Sequence, residues 1–417
     1  MRINKFQVKG YRSCESTILL PNSGLTALIG VNGSGKSNLL SAILLLKKAT
    51  NRSLWGYNKS GDGDNCANVK VEIDYNGSLI HLKGDIFYST SNRNIDEVVR
   101  TELKWNLESI TGERGWLGIP IELIMSNNEY GFFLSHGSRR LSYSDMLKKT
   151  WYGKFGMKNL LPEKLFPVLS DISKYLQNIN YYSASQFADP SRCPVSLKLN
   201  ADRPPELRSR DAIDHERFIY DLYCSSKDSG EAFLRYRYIA GTDGIGLVED
   251  IIFDEIKLPS HAVEVRAGGK AVQKETSQLV VVPIFVINGR KLSPNQLSEG
   301  TFKTLALLYY VLTDDSSLLL VEEPEVCIHH GLLNSVITLI KQESRDKQIV
   351  ISTHSDYVLD QLDPDNIVLV DRSVEGGTKA RSISKAMSRS DYKALRQYLE
   401  ESGNLGEYWR EGGFDGD

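Results

Sequence analysis

No stretch of this 417-residue sequence carries the roughly twenty consecutive apolar residues that a membrane-spanning helix needs. The longest apolar runs are nine residues, as at Leu279–Ile287, so no membrane partner is expected. Cysteine is sparse as well. Cys14, Cys66, Cys193, Cys224 and Cys327 include no CxxC pair, which argues against a zinc site or a disulfide framework and fits a reducing cytosol. Nor does one sign of charge dominate. With 50 Lys and Arg against 53 Asp and Glu, the formal net charge is −3, and any nucleic-acid surface must be a local basic patch. The opening MRINKFQVKGYRS alternates apolar and polar residues and has no signal-peptide core. What remains is an ordinary globular balance, 41% hydrophobic and 25% charged. The expectation is a cytoplasmic protein with two domains, or one domain and a large insertion.

The order of elements narrows the fold. Ile3, Phe6 and Val8 mark a strand before Gly10-Tyr11-Arg12-Ser13, Thr17–Leu20 a second and Leu25–Ile29 a buried third. A helix is expected from Lys36 to Ala49. Residues 51–65 read as a loop, then strands recur at Val69–Tyr75, Leu79–Lys83, Thr101–Leu107 and Ile119–Met125. Residues 141–178 read as helical with breaks at Pro162 and Pro167. Asn180–Ala184 reads as a returning strand, 189–211 as irregular, and 212–239 as two helices parted near Asp228–Gly230. The last third alternates: strands at Leu279–Ile287, Ser316–Val321, Gln348–Ser352 and Asn366–Val370, helices at Gly300–Thr313 and Gly331–Glu343. Alternation of this kind predicts a mostly parallel sheet covered by helices.

Four motifs carry chemistry. Gly30-Val31-Asn32-Gly33-Ser34-Gly35-Lys36-Ser37, followed by Asn38, fits GxxxxGK[ST] between an apolar strand and a helix. Glycines let the backbone wrap a phosphate, and the helix start offers N–H donors and about half a positive charge. Lys36 is expected to bridge the β- and γ-phosphates of ATP, and Ser37 to ligate Mg²⁺. Leu318-Leu319-Leu320-Val321-Glu322-Glu323 is a buried strand delivering two carboxylates to its C-terminal edge, where open α/β sheets bind ligands. Glu322 would hold Mg²⁺, and Glu323 would orient and deprotonate the attacking water. Leu297-Ser298-Glu299-Gly300-Thr301 opens an apolar helix and is also a good N-cap. Ile349-Val350-Ile351-Ser352-Thr353-His354 is a second apolar strand, ending in a histidine 31 residues after Glu323.

In this order the motifs resemble ABC-type ATPases in the LSEGT form of RecF, SMC and OLD-like proteins. The resemblance implies that Ser298 and Gly300 contact the γ-phosphate held by another subunit, and that His354 senses that phosphate and positions the water. It further suggests a nucleotide-facing role for Arg12, which could instead be a surface residue. Gln186 could be the family's Mg²⁺-sensing glutamine or an ordinary strand-end residue. Lys36 and Glu322 stand 286 residues apart, which is longer than a transporter subunit needs. No heptad pattern supports a coiled coil in between. The resemblance is therefore to compact heads often called AAA ATPases, including ATPase subunits of anti-phage systems of the PARIS or Septu type. It covers roughly 1–85 and 278–417. Glu325-Val326-Cys327-Ile328-His329-His330 ends in His where many relatives have Pro. Only about sixty residues follow His354, too few for the Toprim nuclease of OLD proteins.

The expected fold class is thus an α/β P-loop NTPase: an ABC-ATPase head with a mostly parallel core sheet, an antiparallel β lobe and a helical insertion. The expected division is 1–135 with the phosphate loop and β lobe, 136–277 as the insertion, and 278–417 with the signature, acids and histidine. ATP and Mg²⁺ are the expected cofactors. A homodimer or larger oligomer is the expected assembly, with a separate effector, a nuclease, as partner in anti-phage defence. DNA or a phage protein is a further candidate partner. Cations and aromatics interleave over 138–164 (Arg139, Arg140, Lys148, Lys149, Trp151, Tyr152). They suit nucleic acid, a helical lobe or a protein-docking surface. A RecF-like DNA-repair ATPase is the alternative reading.

Overall fold

The structure is a computed structural model. It describes all residues except 51–64, 91–95, 112–161, 201–213, 229, 266–270, 314–315, 327, 374–375, 402 and 415–417. The expected loop at 51–65 except Asn65, the strand at Ile119–Met125, and the cation–aromatic stretch at 138–164 up to residue 161 lie outside the described residues. So do Cys327 and the last three residues of the acidic tail. The chain divides into two compact units. The first is Met1–Tyr181 with Asp315–Glu322 and Ser344–Asp417; the second is Tyr182–Asp314 with Glu323–Glu343.

The first unit holds two sheets. One is antiparallel, built from β1 (Arg2–Lys9), β2 (Thr17–Leu19), β4 (Asn65–Tyr75), β5 (Ser78–Thr90) and β6 (Asp96–Asn106) in the order β2-β1-β4-β5-β6. Its strands alternate as a half-buried sheet must. Phe6, Val8, Val69, Val71, Ile73, Ile80, Leu82 and Trp105 are buried on one face. The other sheet runs β15-β14-β3-β13-β12-β7. Its strands are β3 (Leu25–Ile29), β7 (Ile179–Ser183), β12 (Leu318–Glu322), β13 (Gln348–Thr353), β14 (Ile367–Arg372) and β15 (Thr378–Ser382). Strands β12, β13, β3 and β14 pair in parallel, and β15 pairs antiparallel to β14. All five residues of β3 and all six of β13 are buried, as expected for a sheet covered on both faces. Gln348 ties the two sheets together. Its amide accepts from Ile3 N at 3.0 Å and donates to the carbonyls of Ile3 (2.9 Å) and Asn22 (2.7 Å).

Helix α1 (Lys36–Thr50) buries Leu39, Leu40, Ile43, Leu45 and Leu46. It packs beside α2, which runs from Pro162 to Gln177. Pro162 begins that helix as an N1 proline can. Pro167 does not break it, against the sequence expectation. An interior proline costs about 3 kcal/mol. Burial of Val168, Ile172, Tyr175 and Leu176 contributes about 1.5–3 kcal/mol each and outweighs it.

The second unit carries α3 (Asp214–Asp228), α4 (Glu231–Ala240), α5 (Glu299–Thr313) and α6 (His330–Glu343). It also holds a small sheet of β8 (Leu197–Asn200), β9 (Asp250–Val265), β10 (Ala271–Ile287) and β11 (Arg290–Leu292). Strands β9 and β10 form a long hairpin, paired from Asp250 with Val286 to Val265 with Ala271. Its core is aromatic: Phe187, Phe218, Phe302, Tyr309 and Tyr310 meet with centroids 5.5–6.4 Å apart. His215 stacks on Phe302 at 5.3 Å.

Candidate functional site

Parallel register decides what the first unit brings together. Glu322 pairs with Ser352, Ser352 with Leu28, and Thr353 with Ile29. The next residues along β3 and β13, Gly30 and His354, therefore leave the sheet at one level, beside the acid that ends β12. This is the C-terminal edge, where α/β sheets bind ligands.

The loop after β3 is shaped for close approach. Gly33 has φ +82°, and a Cβ there would meet nothing within 4 Å, so that side of the loop is open. Gly35 has φ +107°, and a Cβ there would lie 2.0 Å from Thr378 Oγ1. Lys36 is 6% exposed, and its Nζ donates to the carbonyls of Gly30 (2.6 Å) and Val31 (3.2 Å). Ser34 is 2% exposed, and its Oγ has no hydrogen-bond partner among the described residues. Arg372 Nε donates to Gly33 O at 2.8 Å. A buried lysine, an orphan hydroxyl and an open glycine at the start of a 15-residue helix fit a phosphate chain.

The turn Gly10–Cys14 clasps this loop. Ser13 Oγ accepts from Asn38 Nδ2 at 2.7 Å and lies 2.8 Å from Thr378 Oγ1, which donates to Ser34 O at 3.2 Å. Arg12 has φ 47°, a left-handed conformation that non-glycine residues rarely hold without support. That support is Asp96, 2.8 Å from Arg12 Nη2. Arg12 Nη1 also lies 3.5 Å from Asn38 Oδ1. Asp96 is buried and further receives the Tyr11 phenol (2.5 Å) and the Thr90 hydroxyl (2.8 Å), while its carbonyl receives Lys48 Nζ (3.0 Å). Burial and the bond to Asp96 push the Tyr11 phenol well up. Burial pulls the Lys48 ammonium down, with Asp96 opposing.

Glu322 receives the phenol of Tyr181 from β7. Glu323 adopts φ 48° and opens a turn in which Val326 N donates to its carbonyl at 3.2 Å. His354 is exposed, and Ser355 after it caps the helix Asp356–Leu359. Ser37 is exposed at the start of α1. Among the described residues no cluster of three or more His, Cys, Asp or Glu could hold a metal unaided. Ser37 and Glu322 offer the hard oxygen donors magnesium favours, and its remaining ligands would be phosphate and water.

Ser298, Gly300, Glu323 and Gln186 belong to the second unit, so the first unit does not contain the whole predicted set. Ser298 caps α5: its Oγ accepts from Thr301 N at 3.2 Å. Gln186 Oε1 accepts from Ser183 N at 3.2 Å, closing the turn after β7. Tyr181, Asp96, Thr378 and Arg372 escaped the sequence reading. Each contacts the site from a strand distant in sequence, and none lies in a recognisable motif.

Known proteins resemble the chain in part or at low identity. A family profile described as "AAA domain, putative AbiEii toxin, Type IV TA system" matches residues 121–360, and an "AAA ATPase domain" profile matches 1–183. A 43-residue stretch is 42% identical to the DNA replication and repair protein RecF of Chloroherpeton thalassium. That stretch spans 10% of this chain and 12% of that protein. Among solved structures, an SMC head bound to the C-terminal winged-helix domain of ScpA is 16% identical with a TM-score of 0.48, covering 93% of this chain and all of that one. The SMC head domain from Thermotoga maritima is 14% identical with a TM-score of 0.43, covering 92% and 100%. Among the described residues no helix is long and apolar enough to cross a membrane. The phosphate loop at the edge of a mostly parallel sheet and the profile over 121–360 agree: the chain is a P-loop ATPase-fold protein and belongs to the AAA-domain family.

Proposed function

We propose that this chain binds ATP with Mg²⁺ between two copies and hydrolyses it, and that nucleotide state controls an effector protein, a nuclease, in anti-phage defence. One observation carries the ATPase reading: register places the Gly30–Ser37 loop, Glu322 and His354 at one sheet edge. Lys36 and the N–H groups that open α1 neutralise the phosphates. Ser37 and Glu322 hold the magnesium ion, which supplies charge stabilisation on the phosphoryl oxygens. Glu323 accepts the proton of the attacking water, and His354 orients that water. Ser298 and Gly300 of a second copy complete the site, and Arg12 and Gln186 stand as accessory contacts. The defence role and the effector rest on resemblance to ATPase subunits of such systems, not on the site. Proteins captured on the Glu323→Gln variant from its native cells, identified by mass spectrometry, test it. A nuclease chain supports the role; recovery of only DNA and repair factors rejects it.

A second reading is a RecF-like ATPase acting on DNA, favoured by the 43-residue match to a RecF protein. It requires that duplex DNA stimulate ATP turnover and that neutralising Lys148 and Lys149 remove the stimulation.

A further inference from the structure

One contact at the sheet edge has no part in the scheme above. Tyr181 lies in the middle of β7, the edge neighbour of β12. Its phenol donates to Oε2 of Glu322, the last residue of β12. Among the described residues this is the one side-chain hydrogen bond that Glu322 receives. The backbone ladder between strands does not need it. A glutamate at a strand end has several free torsions, and fixing them opposes ligand binding. A phenol that already holds one carboxylate oxygen removes much of that cost and leaves the other oxygen uncommitted.

We propose that Tyr181 is a positioning residue: it holds Glu322 through Oε2 so that Oε1 is presented to the magnesium ion of the bound nucleotide. The proposal rests on the reading of Glu322 as the magnesium-holding acid. It makes Tyr181 a determinant of metal-dependent affinity, not of nucleotide binding itself. The first unit supplies a matched control. The Tyr75 phenol donates to Asp171 Oδ2 at 2.9 Å, the same kind of bond between β4 and α2.

The test is the gain in ATP affinity that Mg²⁺ confers on the full chain, read as the ratio of Kd in EDTA to Kd in Mg²⁺. Tyr181→Phe is expected to lower that ratio about tenfold, with the EDTA value unchanged. Tyr75→Phe is expected to leave both values as they are. In a Glu322→Gln background Tyr181→Phe should have no further effect, because the two residues act through one contact. A wild-type ratio in Tyr181→Phe, alongside a lost one in Glu322→Gln, overturns the role of Tyr181 and leaves that of Glu322 standing. A wild-type ratio in Glu322→Gln removes the reading of the acid and the proposal with it. Weakened binding in EDTA, or a thermal midpoint below that of Tyr75→Phe, makes Tyr181 a structural tie and also overturns the proposal.

Discussion

Asp96 Oδ2 lies 2.8 Å from Arg12 Nη2 and receives the Tyr11 phenol at 2.5 Å, so one buried carboxylate from β6 fixes two consecutive residues of the turn beside the phosphate loop. Removing it takes the Asp96 carboxylate from a guanidinium and a phenol while Arg12 keeps a left-handed backbone. Asp96→Ala is expected to destabilise the chain by about 3 kcal/mol, the low end for a broken buried pair because Arg12 is partly exposed. Urea unfolding measures this. A loss under 1 kcal/mol would show that the turn stands without Asp96.

Lys36 supplies the charge of the phosphate loop. Lys36→Ala is expected to weaken ATP binding at least about 100-fold, since charge-assisted hydrogen bonds contribute about 1.5–3 kcal/mol each. Calorimetry with ATP reads this directly. Glu323→Gln should behave differently, keeping ATP affinity while turnover falls by about 10²–10⁴.

Ser298 is expected to act on the nucleotide of a second copy. Lys36→Ala and Ser298→Arg chains should each be inactive alone. Mixed, they form dimers in which one site has an intact loop from one chain and an intact signature from the other. Turnover should reappear on mixing. A mixture as inactive as its components would rule out the shared site.

Asp221 on α3 is driven by burial up to about 6, with Arg217 opposing. Its folded value lies above the unfolded one, so its contribution favours the folded state below about pH 4 and is lost as pH rises through 6. Asp221→Asn should therefore raise stability at pH 7, on the order of 2 kcal/mol, and flatten the stability profile between pH 4 and 6. His215 runs the other way. Burial lowers its value, so its contribution is present above the ordinary histidine range and is lost as pH falls through the folded value. Thermal midpoints across pH 4–8 for Asp221→Asn and wild type separate the two.

Much of the sheet was legible because its strands are short apolar runs bounded by glycine, serine or acid. Leu25–Ile29 matches β3 residue for residue, and the helices flanking Asp228–Gly230 appear where the pattern puts them. Strand β9 was missed, and β10 was entered only at Leu279, because DEIKLPSHAVEV and AVQKETSQ are rich in polar residues and hold no sustained apolar run or alternation. A two-stranded arm has little core to bury, so no apolar alternation marks it. Pro167 misled for the opposite reason: local propensity spoke, and packing overruled it. The loop, the paired acids and the histidine each sit in a contiguous motif. Asp96, Tyr181 and Thr378 act through contacts across 84, 141 and 365 residues, which one strand's pattern cannot encode.

Among the described residues, strand β3, which launches the phosphate loop, has only β13 and β14 as ladder partners in its sheet. Ile29 and Gln348 are 319 residues apart. At about 5–20 residues per second, a ribosome needs roughly 16–64 s to pass from one to the other. Through that interval the most apolar strand of the amino-terminal region has no neighbour to pair with. The nucleotide cradle is thus made well before the strands that complete its sheet, and a nascent chain has to be kept from aggregating until they emerge.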